Sequence, residues 1–315
     1  MIIRSGVLIL LATAVLSACQ TLPEEPTMHA EPLSIRDRCG LLSVQFQVEE
    51  DRAMLELGDR SIKMASVVSA SGTRFQSQDG RSEFWQRGSV ARLVVDDLAW
   101  PECTISGSVP PLLEARGNEP FWMLKLTYDR AVLNRLGFDQ EEEGRVLERT
   151  SDGSSGEAVL NIGSAQEQLS VENRLCQDSM TGMPYPYTVH LSRQGQGLQG
   201  CGGKPYDLLQ GPQWRVTSLL SRKVPDDIEL SLHFSEDRRV SGKAACNRFA
   251  GSVRLSGEGL DLGNLISTRM ACIGELMEWE QSFLSVLAQV SRFSLTEDGR
   301  LVLFVGDTPV MISRL

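Results

Sequence analysis

Short runs of alternating apolar and polar residues fill most of the chain. From residue 33 to 108 they recur roughly every eight to twelve residues. The runs are Leu42–Phe46, Ala53–Leu57, Ile62–Val68, Arg74–Gln76, Glu83–Trp85 and Ala91–Val95, with Gly and Asp between them. A two-residue period sends alternate side chains to opposite faces of a strand. This rhythm predicts an antiparallel sandwich or small barrel. Residues 109–207 open with Pro110-Pro111, a linker signal. A strand is expected at Met123–Tyr128 and another after Tyr187, and few helical signals occur, so this part reads as β-rich. The span Gly137–Gly156 is polar and acidic and reads as a long surface loop. In residues 208–315 the segment Gln213–Val216 leads to strands around Glu229–Phe234 and Arg239–Gly242. Leu276, Trp279 or Glu280, Phe283, Leu287 and Val290 then recur at three- and four-residue steps, which predicts one amphipathic helix. Two closing strands are expected at Arg292–Thr296 and Leu301–Val305. The chain is therefore expected to be mainly β: a small antiparallel β-barrel, a second β-rich domain, and a C-terminal α+β domain with one main helix.

Three blocks carry resemblances. The segments Val68-Ser69-Ala70-Ser71-Gly72-Thr73-Arg74-Phe75 and Phe84-Trp85-Gln86-Arg87-Gly88-Ser89 resemble the MliC family of membrane-bound inhibitors of c-type lysozyme. That resemblance implies a small barrel over 33–108 whose Ser-Gly loop and nearby basic loop enter the lysozyme cleft. The site residues it implies are Ser69, Ser71, Gly72, Phe75 and Arg87. Two of them depart from the family pattern, with Phe75 in place of tyrosine and Arg87 in place of lysine. Lysozyme works with two carboxyl groups in a cleft. A blocker needs a narrow turn, which Gly72 permits. It also needs a hydroxyl donor, Ser71, and a cation, Arg87. A planar guanidinium is not equivalent to an ammonium, so potency and target are open at this position. Asn118-Glu119-Pro120-Phe121-Trp122, the stretch from Cys176 to Tyr187 and Gly200-Cys201-Gly202-Gly203 resemble an uncharacterised domain of bacterial envelope lipoproteins. There Phe121, Trp122, Tyr185 and Tyr187 could floor a groove or simply pack. Cys246-Asn247-Arg248-Phe249-Ala250-Gly251 and Ser267-Thr268-Arg269-Met270-Ala271-Cys272 closely resemble the META or HslJ domain, expected over 208–315. Asn247, Arg248 and Arg269 read as a buried polar network beside a disulfide.

Composition adds an address and a set of staples. Arg4, the apolar run Val7–Leu16 and small residues before a cysteine have the shape of a secretory signal peptide over 1–18. Leu16-Ser17-Ala18-Cys19 resembles a bacterial lipobox, with lipid on Cys19 as the one expected covalent group and 19–32 as a polar, Pro-rich tether. The alternative is an ordinary signal peptide with a free cysteine nearby. Gln20 after that cysteine implies an outer-membrane destination facing the periplasm. Seven cysteines is an odd number, and Cys19 accounts for the odd one. Fifteen pairings of the other six exist in principle; pairing within each domain gives Cys39–Cys103, Cys176–Cys201 and Cys246–Cys272. The net charge of −10 contains no basic stretch of the kind that binds nucleic acid. The three histidines form no H-E-x-x-H pair, and no G-x-S-x-G or phosphate-loop motif occurs. An enzyme, a resident metal and a dissociable cofactor are not expected. Two readings stand: a membrane-anchored inhibitor that binds c-type lysozyme, or a structural or stress-response envelope lipoprotein that uses its META-like domain for partner contacts. The oligomeric state is left open.

Overall fold

The computed structural model describes residues 33–58, 60–135, 141–193, 195–257 and 259–315. The expected signal peptide, Cys19 and the expected tether lie outside the described residues. Leu33–Leu315 forms one compact unit that contains three antiparallel sheets and small additions. The protein is mainly β, with eight-stranded barrels and, among the described residues, a single α-helix near the C-terminus.

The first sheet comprises β1 (Leu33–Cys39), β2 (Leu42–Glu49), β3 (Arg52–Leu57), β4 (Arg60–Val67), β5 (Thr73–Ser77), β6 (Glu83–Arg87), β7 (Val90–Val95), β8 (Leu98–Ala99) and β9 (Cys103–Ile105). Strands β1 to β7 follow one another as hairpin neighbours, and β9 slots between β7 and β1. The ring thereby closes on eight strands, leaving β8 as a short flap on β7. Closure removes the free edges that an open sheet would expose. Each expected strand of residues 42–95 falls within an observed one, except that Val68 lies just past β4 and is exposed. The barrel interior is built on three phenylalanines. Phe46 stacks on Phe84 at 4.3 Å and meets the edge of Phe75 at 5.0 Å. Cys39 and Cys103 lie opposite each other across β1 and β9 and form a disulfide.

The second sheet is a closed barrel of β10 (Leu113–Asn118), β11 (Phe121–Leu126), β12 (Arg130–Arg135), β13 (Glu142–Ser151), β14 (Ser155–Ile162), β15 (Ala165–Glu172), β18 (Tyr187–Arg193) and β19 (Gln196–Gly202). A two-stranded strap, β16 (Cys176–Gln177) with β17 (Pro184–Tyr185), is inserted before β18 and tied to β19 by Cys176–Cys201. The surface loop expected over 137–156 is corrected over its described part, where ten residues form β13. No side chain of β13 is fully buried, so it carries no apolar alternation; its place is secured by ladder pairing to β12 and β14.

The third sheet runs β25 (Gly259–Ser267), β24 (Asn247–Ser256), β23 (Arg239–Ala244), β22 (Ser231–Phe234), β20 (Gln213–Leu219), β28 (Thr308–Arg314), β27 (Leu301–Val305) and β26 (Arg292–Leu295), with β21 (Arg222–Lys223) beside β20. Two closing strands were expected; a third, β28, joins β27 to β20. The helix α1 (Glu275–Leu287) buries Trp279, Phe283, Val286 and Leu287, with Phe283 edge-on to Phe249 at 5.5 Å. Beneath its start, Cys246 and Cys272 are bonded. Asn247, 2% exposed, is the hub there. Its amide donates to Glu280 Oε1 and Oε2, both at 3.0 Å, and to Met270 O at 3.1 Å. Its carbonyl accepts from Thr268 Oγ1 at 2.7 Å and Met270 N at 2.8 Å. The expected polar network thus centres on Asn247 alone, while Arg248 and Arg269 are exposed.

The sheets share their packing. Met183, Tyr185 and Cys201 are buried in the same apolar cluster as Trp214, Phe234 and Phe283 of the third sheet. Arg38 of the first barrel donates to Asn173 O, beyond β15, at 2.8 Å, and burial pushes its guanidinium pKa down. The turn at Gly40 has φ +61°, and a Cβ there would come within 2.4 Å of Asp207 O, so only glycine lets these segments meet.

Asp37 faces inward beside the Cys39–Cys103 bond, 2% exposed, and its Oδ1 has no hydrogen-bond partner. Burial raises its pKa from 3.8 to about 6. The folded state therefore holds this proton more tightly than the unfolded chain. The stability it contributes is fully present below the unfolded value and is lost as pH rises through about 6. Asp37→Asn is expected to raise stability at pH 7.5 by on the order of 2 kcal/mol and to leave it nearly unchanged at pH 3.5. Urea denaturation of both proteins across that range checks the sign.

Candidate functional site

Two neighbouring hairpin tips of the first barrel carry the expected site residues. The loop from Val68 to Gly72 connects β4 to β5, and the turn at Gly88-Ser89 connects β6 to β7. Because β5 and β6 are adjacent, with Thr73 opposite Gln86, both tips emerge at one end of the barrel.

Ser69 is the brace of the first loop. Its Oγ donates to Gly72 O at 2.8 Å and to Ser71 O at 3.2 Å, closing a tight local turn. Gly72 has φ +69°, and a Cβ would sit 2.0 Å from Gln86 O. Loop and β6 therefore touch backbone to backbone, which only glycine allows. Ser71 is exposed, and among the described residues its hydroxyl has no hydrogen-bond partner.

Trp85 joins the two tips. Its indole Nε1 donates to Ser71 O at 2.9 Å, and the Arg87 guanidinium lies 4.2 Å from the ring centroid. A cation so placed is attracted to the ring face, by about 0.5–1 kcal/mol at an exposed site. Arg87 is exposed and enters no ion pair among the described residues, so its charge is held in position yet unspent. Arg74 and Arg92 flank Trp85 across the strands. Arg74 is paired with Glu83, its Nε 3.0 Å from Oε2.

Phe75 does not share this surface. Its ring is 2% exposed inside the barrel, because alternation along β5 turns it inward. The expectation that it belongs to the loop surface is therefore corrected, and its part is to hold β5 from within. The residue that sequence reasoning left out of the site is Trp85. Its period-two phase opposite the buried Phe84 places it outward, and that was the available signal.

Elsewhere, Trp122 is fully buried and Tyr185 nearly so, while Phe121 is exposed on the opposite face of its strand, so these three do not form a groove floor; Tyr187, the fourth of the expected set, lines a separate crevice. Among the described residues, one grouping has metal-ligand character, Cys246, Cys272 and Glu280. Both of its sulfurs are engaged in the disulfide.

Residues 38–98 match the family model described as membrane-bound lysozyme-inhibitor of c-type lysozyme, MliC. Residues 207–314 match the META domain. The chain combines an MliC domain with a META domain. The MliC match spans both hairpin tips and Trp85. MliC is a membrane-bound envelope family, and neither MliC nor META is an enzyme family. A curated relative from Chelativorans sp. (strain BNC1), named dihydroorotate dehydrogenase (quinone), is 29% identical over 195 residues, covering 57% of this chain and 51% of that protein. The chain spans about half the length of that relative, and a match of this extent does not establish enzymatic activity. No solved structure matches.

The packing at Gly72 makes a sharp test. Gly72→Ala must strain φ and push against Gln86 O. It is expected to lower unfolding stability by on the order of 1–2 kcal/mol. Ser71→Ala, which touches no neighbour through its hydroxyl, is expected to change stability by less than about 0.5 kcal/mol. Paired urea titrations of the two variants check both.

Proposed function

We propose that the MliC domain of this protein binds c-type lysozyme and inhibits it by placing the Ser71-Gly72 turn and the Arg87 guanidinium in the active-site cleft. The observation that supports this most is the bridging of both hairpin tips by Trp85. One indole hydrogen-bonds the Ser71 carbonyl and underlies the Arg87 charge. A hydroxyl donor and a cation are thereby presented side by side at one end of a rigid barrel. Two acceptors of opposite need, a protonated carboxyl and a carboxylate, line a lysozyme cleft. Ser71 can hydrogen-bond one, and Arg87 can pair with the other. Pre-ordering by Trp85 lowers the entropy lost when the loop binds. The longer planar fork of Arg87 places its charge differently from a lysine, which tunes affinity between lysozymes. Binding, rather than turnover, is the activity proposed for the whole chain.

The same reading sets the protein in the cell envelope, exported by its first eighteen residues, lipidated at Cys19 and held at the outer membrane facing the periplasm. The tether of residues 19–32 then keeps the inhibitory loop beside the peptidoglycan that lysozyme attacks.

The mature chain, without lipid, is expected to slow hydrolysis of a peptidoglycan suspension by c-type lysozyme. Ser71→Ala and Arg87→Ala are each expected to weaken inhibition roughly tenfold or more, the loss of one charge-assisted hydrogen bond. Trp85→Phe is expected to weaken it through loss of loop order, with a slower association rate. Inhibition untouched by the Ser71 and Arg87 variants would remove the loop from the mechanism. Absence of inhibition at large excess would leave the structural or partner-contact role.

A further inference from the structure

The three sheets enclose a crevice of about 630 Å³ that the inhibitory loop alone does not explain. Trp85, Arg87, Arg92 and Trp100 line it from the first barrel, Lys125 and Tyr187 from the second. Lys204, Asp207, Glu236 and Arg238 line it from the third side. Trp100 is itself wedged against Gly211, so that its indole is fixed as part of the wall. A volume in this range at a junction of packed units is the usual setting of a small-molecule site.

The crevice has a charge character of its own. The protein carries a net −10, yet five cations meet here: Arg87, Arg92, Lys125, Lys204 and Arg238. Four carboxyl groups, Glu102, Glu114, Asp207 and Glu236, oppose them, which leaves an excess of one cation at neutral pH. Lys125 and Glu114, 3.6 Å apart, offset each other. Burial raises the pKa of Asp207 to about 6, so it is still an anion at neutral pH and loses its charge only in mildly acid solution. An aromatic-walled cleft with one cation in excess, in a protein of net −10, favours an anion with a flat apolar face.

We propose that this crevice binds a carboxylate-bearing saccharide, one or two rings in extent, with the indoles against the C–H faces of the sugar and Lys204, Arg238 and Arg87 on its carboxylate. Two sources supply such chemistry, a muramyl-type wall glycan and a uronate polysaccharide. Arg87 belongs to both the crevice and the hairpin tip. If the proposed inhibition holds, a bound glycan therefore competes with lysozyme for that side chain; the binding itself does not depend on that reading.

The test uses the mature chain and titrates intrinsic tryptophan fluorescence and heat with three probes: a soluble muramyl disaccharide peptide, a short oligogalacturonate, and a neutral N-acetylglucosamine oligomer of equal length. Saturable binding of either anionic probe, at least tenfold tighter than the neutral one and weakened by salt, is expected, and the preferred anion identifies the source. Lys204→Gln and Arg238→Gln are each expected to weaken it about tenfold. Arg238 lies over the Tyr206 ring at 4.5 Å and sits at φ +59°, so its loss can disturb the turn; the exposed Lys204 supplies the independent variant. Equal binding of the neutral oligomer, no binding of any probe at millimolar concentration, or full affinity in a folded Lys204→Gln protein would overturn the proposal. Lysozyme inhibition by Lys204→Gln is read in parallel. A failure of inhibition alone would bear on the loop and leave the crevice intact.

Discussion

The first barrel depends on the pairing of β1 with β9. That short ladder is where a meander of consecutive hairpins becomes a ring, and Cys39–Cys103 fastens it across 64 residues. By the loop-entropy estimate a bond over that span is worth about 4 kcal/mol, before any strain. Without closure, β1 and β7 would be free edges and the Phe46, Phe75 and Phe84 cluster would face water. With it, the strand ends are fixed, and the β4–β5 and β6–β7 tips have one geometry.

From that constraint the site follows in short steps. Phe75 and Phe84 hold β5 and β6 from inside. Alternation then forces Trp85 outward, where it can reach the Ser71 carbonyl and support Arg87. Gly72 lets the loop lie against β6 closely enough for that reach. The surface that carries Trp85 and Arg87 is thus a consequence of core packing, one residue out of phase with it. The META part is organised differently, by the Asn247 hub that joins β24, the segment before Cys272 and α1. Arg248 and Arg269 nearby are exposed and stand outside that hub.

Packing between the sheets also changes what each presents. Tyr185 and Met183 leave the second barrel to enter the third sheet's core. Arg38 crosses from the first barrel to the second. These attachments hold the three sheets around one crevice. A barrel with nothing beside it would have no such cavity, and its basic tip would face only solvent.

Much of this was legible in the order of residues. Period-two alternation set the strands of the first barrel, since each needs one apolar face. The three- and four-residue steps from Leu276 to Leu287 set the helix, and Val290 falls beyond its end. Pairing of the cysteines within each apparent domain was legible as well, and the Ser-Ala-Ser-Gly turn was local. Other features are not local. Strand β13 lacks buried residues, and β28 carries Pro309 and an exposed start, so neither announces itself by pattern. They exist because neighbours supply ladder partners. Trp85 as the bridge, Asp37 as a buried acid and the crevice from Trp85 to Arg238 depend on residues distant in sequence. Hydrophobic phase along one strand says which way a side chain points. Only closure of the ring and docking of the sheets decide what it meets there.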